Sequence, residues 1–191
     1  MYSLFFRYFL FIVIFTVLIT TIYTPFISPN DLNNSEIIIS NNGDLIWPIP
    51  GEFTITSPFG YRQAPTGGAS YYHSGIDIGA PEGTPFVACF SGEIIYTGFN
   101  GAGGFTITIS HPPYTASYCH VSPNFIVSEG DKVSVNAYIG NVGPQYVYGV
   151  IGNPYCDSDG TPTNGATTGP HLHFTLKKDG TAINSLDYFD I

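Results

Sequence analysis

Two histidines stand one residue apart in "TGPHLHFTL", residues 168–176, in a chain of 191 residues that has only five. Alternate imidazoles suggest a shared site. Read as a strand, the stretch places Leu172, Phe174 and Leu176 on one face and His171, His173 and Thr175 on the other. The two imidazole roots then lie roughly 7 Å apart on one surface. Pro170, which has no N–H to donate, suits the start of such a strand. Taken alone, the pattern equally fits two surface histidines on a solvated face.

A second group is "YHSGIDIGAP", in which His73 and Asp77 are four apart. Helical spacing would put them on one face, but Gly75, Gly79 and Pro81 oppose a helix. In a fully extended strand their roots would be about 13 Å apart, too far for joint ligation of one ion. His73 is therefore expected in a bend before a strand that carries Asp77, with Ser74–Gly75 as the joint. Ile76 and Ile78 would anchor that strand in the core. Imidazole and carboxylate suit Zn²⁺. A turn histidine and a strand-end aspartate fit the motif equally when it stands alone.

The third group is "YCH" at Tyr118–His120. Neighbours on a strand face opposite ways, which argues against a Cys119–His120 nucleophile pair. The expectation is that Tyr118 and His120 share the site face while Cys119 packs into the core. His111, in the "SHPP" corner, carries no assigned role.

The elements that must position these residues are short strands. The chain holds 22 Gly, 15 Pro and 29 Tyr plus Phe, with 43% hydrophobic and 10% charged residues, a composition that favours strands and turns over helices. No amphipathic helical pattern follows residue 30, and there is no internal repeat. "GAGGFTITIS" and "YTASYCHVS" read as a hairpin across the "HPP" corner. The expected fold class is all-β, a small antiparallel barrel or sandwich-like domain with long loops, over residues 47–191. The segment Gly143–Thr168 reads as a long polar loop, and "CDSDG" within it has too few carboxylates for a calcium loop.

Residues 1–27 differ in kind. From Tyr8 to Asn30 no residue is charged, and a run of about 20 apolar residues spans a bilayer. Arg7 alone precedes it, which predicts a cytoplasmic N-terminus and an extracytoplasmic remainder. An uncleaved transmembrane helix is expected, with a cleaved signal peptide and secretion as the rival; no small-x-small cleavage site follows the run. Residues 28–46, rich in Asn and Ser, read as a tether. Beyond the anchor stand four basic and fourteen acidic residues, which argues against nucleic acid as a partner. Three cysteines, Cys89, Cys119 and Cys156, leave at least one unpaired, and none lies in a CxxC spacing.

Together, "HSGIDI", "YCHVS" and "GPHLHF", with "APEGTPFVACFSGEI" and "GDKVSVNAYIGNVG" between them, resemble the lysostaphin-type (LytM-like) peptidoglycan endopeptidases from about Pro48 to Asn184. The resemblance implies one zinc ion held by His73, Asp77 and His173, with His120 and His171 as catalytic residues flanking the open coordination position. It also implies a small antiparallel β fold with a groove across it, and the peptide stems or cross-bridges of peptidoglycan as substrate. A tyrosine that often assists in the family has Tyr71 and Tyr72 as candidates here. The long Gly143–Thr168 loop and the acidity depart from the family pattern. A non-hydrolytic wall-binding or regulatory module is the alternative reading, and a closed structural zinc site with Cys119 or Cys156 is a further one.

Overall fold

Alternating apolar residues dictate the central strand. In β11 (His171–Lys178), Leu172, Phe174 and Leu176 are fully buried, and burying each such side chain stabilises the fold by about 1.5–3 kcal/mol. The structure, a computed structural model, describes residues 45–189. The expected anchor at 1–27 and nearly all of the expected tether lie outside the described residues. Among the described residues no helix is long and apolar enough to cross a membrane.

The remaining strands, in chain order, are β1 (Ile55–Ser57), β2 (Gly60–Tyr61), β3 (Tyr72–His73), β4 (Ile76–Gly79), β5 (Pro85–Val87), β6 (Gly92–Phe99), β7 (Phe105–His111), β8 (Tyr114–Cys119), β9 (Lys132–Val133), β10 (Tyr138–Asn141) and β12 (Thr181–Ile183). The main sheet runs β1-β4-β11-β8-β7-β6-β9, with β12 also pairing β11. Its ladders are antiparallel throughout. The hairpin read from "TITIS" and "YTASYC" is β7–β8, turning at a cis Pro112–Pro113 bond.

No barrel closes, which corrects the barrel alternative. The edge strands β1 and β9 are three and two residues long, and β1 is further interrupted by a bulge against β4. Short, irregular edges of this kind stop further pairing. The β5–β10 ladder instead covers the apolar face: Phe86 of β5 stacks on Tyr118 of β8 with ring centroids 5.3 Å apart. Tyr118 also meets Phe174 edge-on at 5.3 Å. The core thus lies on one face of the sheet, and the polar face is left to the histidines. Cys89, Cys119 and Cys156 are all unpaired.

The fully buried Tyr118 hydroxyl accepts a hydrogen bond from the Cys89 N–H at 2.8 Å. Tyr118→Phe leaves that N–H buried without a partner. Urea unfolding should show a loss of about 1–3 kcal/mol.

Candidate metal centre and its cleft

Strand register assembles the polar face. Asp77 pairs with His173, and His173 pairs with Cys119. Ser57 extends this row on one side and Thr106 on the other. Paired residues in a sheet share a face, so Asp77 and His173 are brought together by pairing alone. His73 ends β3 and enters from a bend at Ser74–Gly75, as the spacing predicted. Gly75 is needed there. A Cβ on it would lie 2.3 Å from the Phe174 carbonyl oxygen and 2.9 Å from His173 Nε2.

Three ligand atoms converge. His73 Nε2 lies 3.1 Å from Asp77 Oδ1 and 2.8 Å from His173 Nδ1, and His173 Nδ1 lies 2.8 Å from Asp77 Oδ1. The outward ring atoms are tied as well. His73 Nδ1 donates to the Pro58 carbonyl at 2.8 Å. A carbonyl only accepts, so the proton of a neutral His73 sits on Nδ1 and its Nε2 presents a lone pair to the cluster. His173 Nε2 meets Thr175 Oγ1 at 2.8 Å; a proton placed there frees Nδ1 in the same way. Without a metal, burial opposes the charged form of Asp77, yet hydrogen bonds donated by the His173 and His73 rings outweigh it and hold the carboxyl well below the usual range; a cation would replace those protons at the same atoms. Two imidazole lone pairs and a carboxylate oxygen fit a borderline divalent cation such as Zn²⁺. Neither Cys119 nor Cys156 joins this group; among the described residues it consists of His73, Asp77 and His173.

His120 and His171 stand beside it. Their ring centroids are 4.7 Å apart, and His120 is 6.1 Å from His173. Each is oriented by a backbone carbonyl. His120 Nδ1 donates to Asn164 at 2.7 Å and His171 Nδ1 to Gly169 at 2.9 Å, which turns both Nε2 atoms into lone pairs. Burial first, then the charges of His171 and His173, push His120 down to about 3. Burial also lowers His173.

The expected facing at "YCH" is corrected. Tyr118 points into the core, and Cys119 shares the polar face with His173. His120 reaches the site because its backbone takes φ 58°, a left-handed conformation uncommon for a non-glycine residue. That turn ends the alternation from which its direction was read. Cys119 is buried, and burial pushes its thiol up to about 11.

Sequence reasoning assigned no role to Arg62 or Asn164. Arg62 Nη1 donates to Asp77 Oδ2 at 2.9 Å and to Ser57 Oγ, leaving Oδ1 for the histidines. Arg62 Nε is buried without a hydrogen-bond partner. Arg62 had one available signal, as one of only four cations after the apolar segment. Asn164 ties β7 and the His120 turn together: its side chain accepts from Phe105 N–H at 2.8 Å and donates to the Val121 carbonyl at 3.0 Å. It acts on His120 through its main chain, so its residue type carried no signal. Of the tyrosine candidates, Tyr72 lines the cleft while Tyr71 is exposed and does not.

The Gly143–Thr168 segment is a loop with two isolated bridges, Tyr146 to Thr163 and Cys156 to Pro162. The Asp157 carboxylate in it accepts the N–H groups of Asp159 and Thr161, both at 2.9 Å, as a turn. Two cavities meet at the histidines. The first, about 270 Å³, extends past Tyr72, Ser117 and Lys177. The second extends past Thr56, Gln63 and Thr168.

The depressed imidazoles set a pH dependence. The unfolded chain takes up a proton at each histidine near pH 6.5, whereas folded His120 resists until about 3. The unfolded state therefore binds more protons in this window, and stability falls as pH drops from 6.5 toward 3. In chelator-treated protein, urea titrations should lose about 1.4 kcal/mol per pH unit from His120 across this window. His120→Gln should flatten the profile.

Comparison with known proteins now adds to the geometry. Residues 71–154 match Peptidase family M23. The DD-carboxypeptidase/endopeptidase Mpg of Neisseria meningitidis serogroup B is 34% identical over 131 residues, covering 68% of this chain and 26% of that protein. The peptidoglycan DD-endopeptidase ShyA of Vibrio cholerae is 29% identical over 153 residues, covering 76% of this chain and 31% of its own length. This chain thus spans less than a third of these curated relatives. The catalytic domain of lysostaphin from Staphylococcus simulans superposes with a TM-score of 0.56 at 24% identity, covering 73% of this chain and 93% of that domain. With the polar face, the open sheet and these matches in agreement, the chain belongs to Peptidase family M23 and shares the fold of the lysostaphin catalytic domain.

Proposed function

We propose that this chain is a zinc-dependent endopeptidase that hydrolyses peptide stems or cross-bridges of bacterial peptidoglycan. The observation that carries the reading is the convergence of His73, Asp77 and His173 on one point, 2.8–3.1 Å between ligand atoms, with two further imidazoles beside it. A binding module has no use for two imidazoles, each oriented by a backbone carbonyl, next to an open three-ligand site. A structural zinc site would be closed by a fourth protein ligand, and none stands within this group among the described residues.

Zn²⁺ held by the three ligands supplies Lewis acidity toward a peptide carbonyl and makes a water acidic enough to deprotonate near neutral pH. The chain's own residues supply the rest. His120 and His171 present unprotonated Nε2 atoms to the cleft. One takes the proton of the attacking water at Nε2; the other, once its own Nε2 has taken up a proton from solvent, donates it in a hydrogen bond to the oxygen on which negative charge develops. Arg62 holds Asp77 Oδ2, which keeps Oδ1 aimed at His73 and His173. The paired cavities on either side of the histidines leave room for the peptide on both sides of the scissile bond.

By the same reading, residues 1–27, with their apolar run from Tyr8, anchor the chain in the cell membrane. The Asn-rich segment then lets the domain reach only nearby wall, which suits local remodelling. Sequencing the mature N-terminus of the cell-associated protein tests this; a start beyond residue 25 in secreted material overturns it.

Mass spectrometry of purified muropeptides incubated with the chain should show cleavage products that a chelator abolishes. His171→Ala should retain stoichiometric zinc and lose cleavage by at least about 100-fold, the scale of a lost general base. His173→Ala should lose the metal itself. Full zinc occupancy in the His173 variant would remove that residue from the ligand set.

A further inference from the structure

The chain carries fourteen Asp and Glu residues against five Lys and Arg, yet no carboxylate lines the first cavity, while two of the five cations do. One is Arg62, committed to Asp77. The other is Lys177, which has no ion-pair partner among the described residues. The other cations of the described residues lie elsewhere: Lys178 sits over the Tyr114 ring, and Lys132 is on the edge strand β9. On the far side of the histidines the second cavity holds Asp77, neutralised by Arg62, and otherwise uncharged residues such as Thr56, Gln63 and Thr168. The cleft is therefore electrostatically polar along its length, with its one uncommitted charge at the Lys177 end.

Strand alternation places that charge. His171, His173, Thr175 and Lys177 occupy the same face of β11, so the Lys177 root lies about 13 Å beyond that of His173. Lys177 lines the same cavity as His73, His120 and His173, and its four-carbon stem is flexible enough to swing toward them. A root about 13 Å from that of His173, on a stem that can shorten the gap, matches a span that an extended peptide covers in about two to four residues.

We propose that Lys177 docks a carboxylate of the substrate peptide, two to four residues from the scissile bond. The substrate class is then a peptide with a negative charge at that distance, threaded in one direction only. This rests on the peptidase reading for which bond is cut, but the binding site is testable apart from it. A surface as acidic as this one repels anions at long range. Lys177, exposed on β11 and the one uncommitted cation of a cavity that no carboxylate lines, can make a charge-assisted hydrogen bond that an amide cannot match, so the site selects among peptides that differ by one charge.

The test is equilibrium binding at low salt to the full chain carrying His171→Ala, which halts turnover, with and without Lys177→Gln. The probes are a muropeptide stem pentapeptide and versions in which one carboxylate at a time is replaced by a carboxamide. One of these amides should bind about tenfold more weakly than the parent. Lys177→Gln should weaken the parent about tenfold and the critical amide no further, because both changes remove the same contact. Equal affinity for every peptide, losses that add across Lys177→Gln and the amide, or no measurable binding of the parent each overturn the site. Chelator-sensitive cleavage by the unsubstituted chain with no amide effect removes the carboxylate site and leaves the peptidase. A Lys177-dependent amide effect without cleavage does the reverse.

Discussion

The pairing register of β4, β11 and β8 is the constraint on which the molecule depends. Asp77 opposite His173, and His173 opposite Cys119, are consequences of that register. A slip of one residue would turn every side chain of the moved strand to the other face. Ile76 and Ile78, with Leu172, Phe174 and Leu176, make such a slip costly, because each is fully buried and would be driven into the polar cleft. The same apolar residues that stabilise the sheet therefore set the distance between a carboxylate and an imidazole almost a hundred positions apart. Metal-ligating geometry is here a by-product of core packing.

Much of this was legible in the residues themselves. Alternation in "HLHFTL" and "IDI" assigned faces correctly, and the glycine joint after His73 correctly announced a bend. What alternation cannot announce is its own interruption. The left-handed backbone at His120 reverses the faces expected for Tyr118 and Cys119, and nothing in the side chains of "YCH" marks it. Main-chain acceptors are equally silent: Pro58, Gly169 and Asn164 orient three imidazoles through carbonyls that any residue possesses. Whether the sheet closes was also hidden, since it turns on how short and irregular the edge strands are rather than on the pattern of the central ones.

Charge is distributed in two scales. At long range the chain is strongly acidic, and inside the cleft its carboxylates are withdrawn except for the one paired by Arg62. Burial disfavours the charged forms of His120 and His173, which suits rings whose centroids lie only 6.1 Å apart, since two cations there would repel. The site is consequently a pre-oriented pocket with few carboxylates, cut into an acidic chain.

Asn164 draws a boundary inside the Gly143–Thr168 loop. Its hydrogen bonds to Phe105, Val121 and His120 clamp the returning limb to the sheet, and the bridge between Tyr146 and Thr163 joins the outgoing limb to it. Between those two residues Val147 is still buried and Tyr155 packs beside Gly68, whereas the tip around Tyr148 and Ile151 projects into solvent. The loop is thus modular: its base belongs to the chemistry, while its tip is free to lengthen, shorten or change composition over evolutionary time without moving a single imidazole.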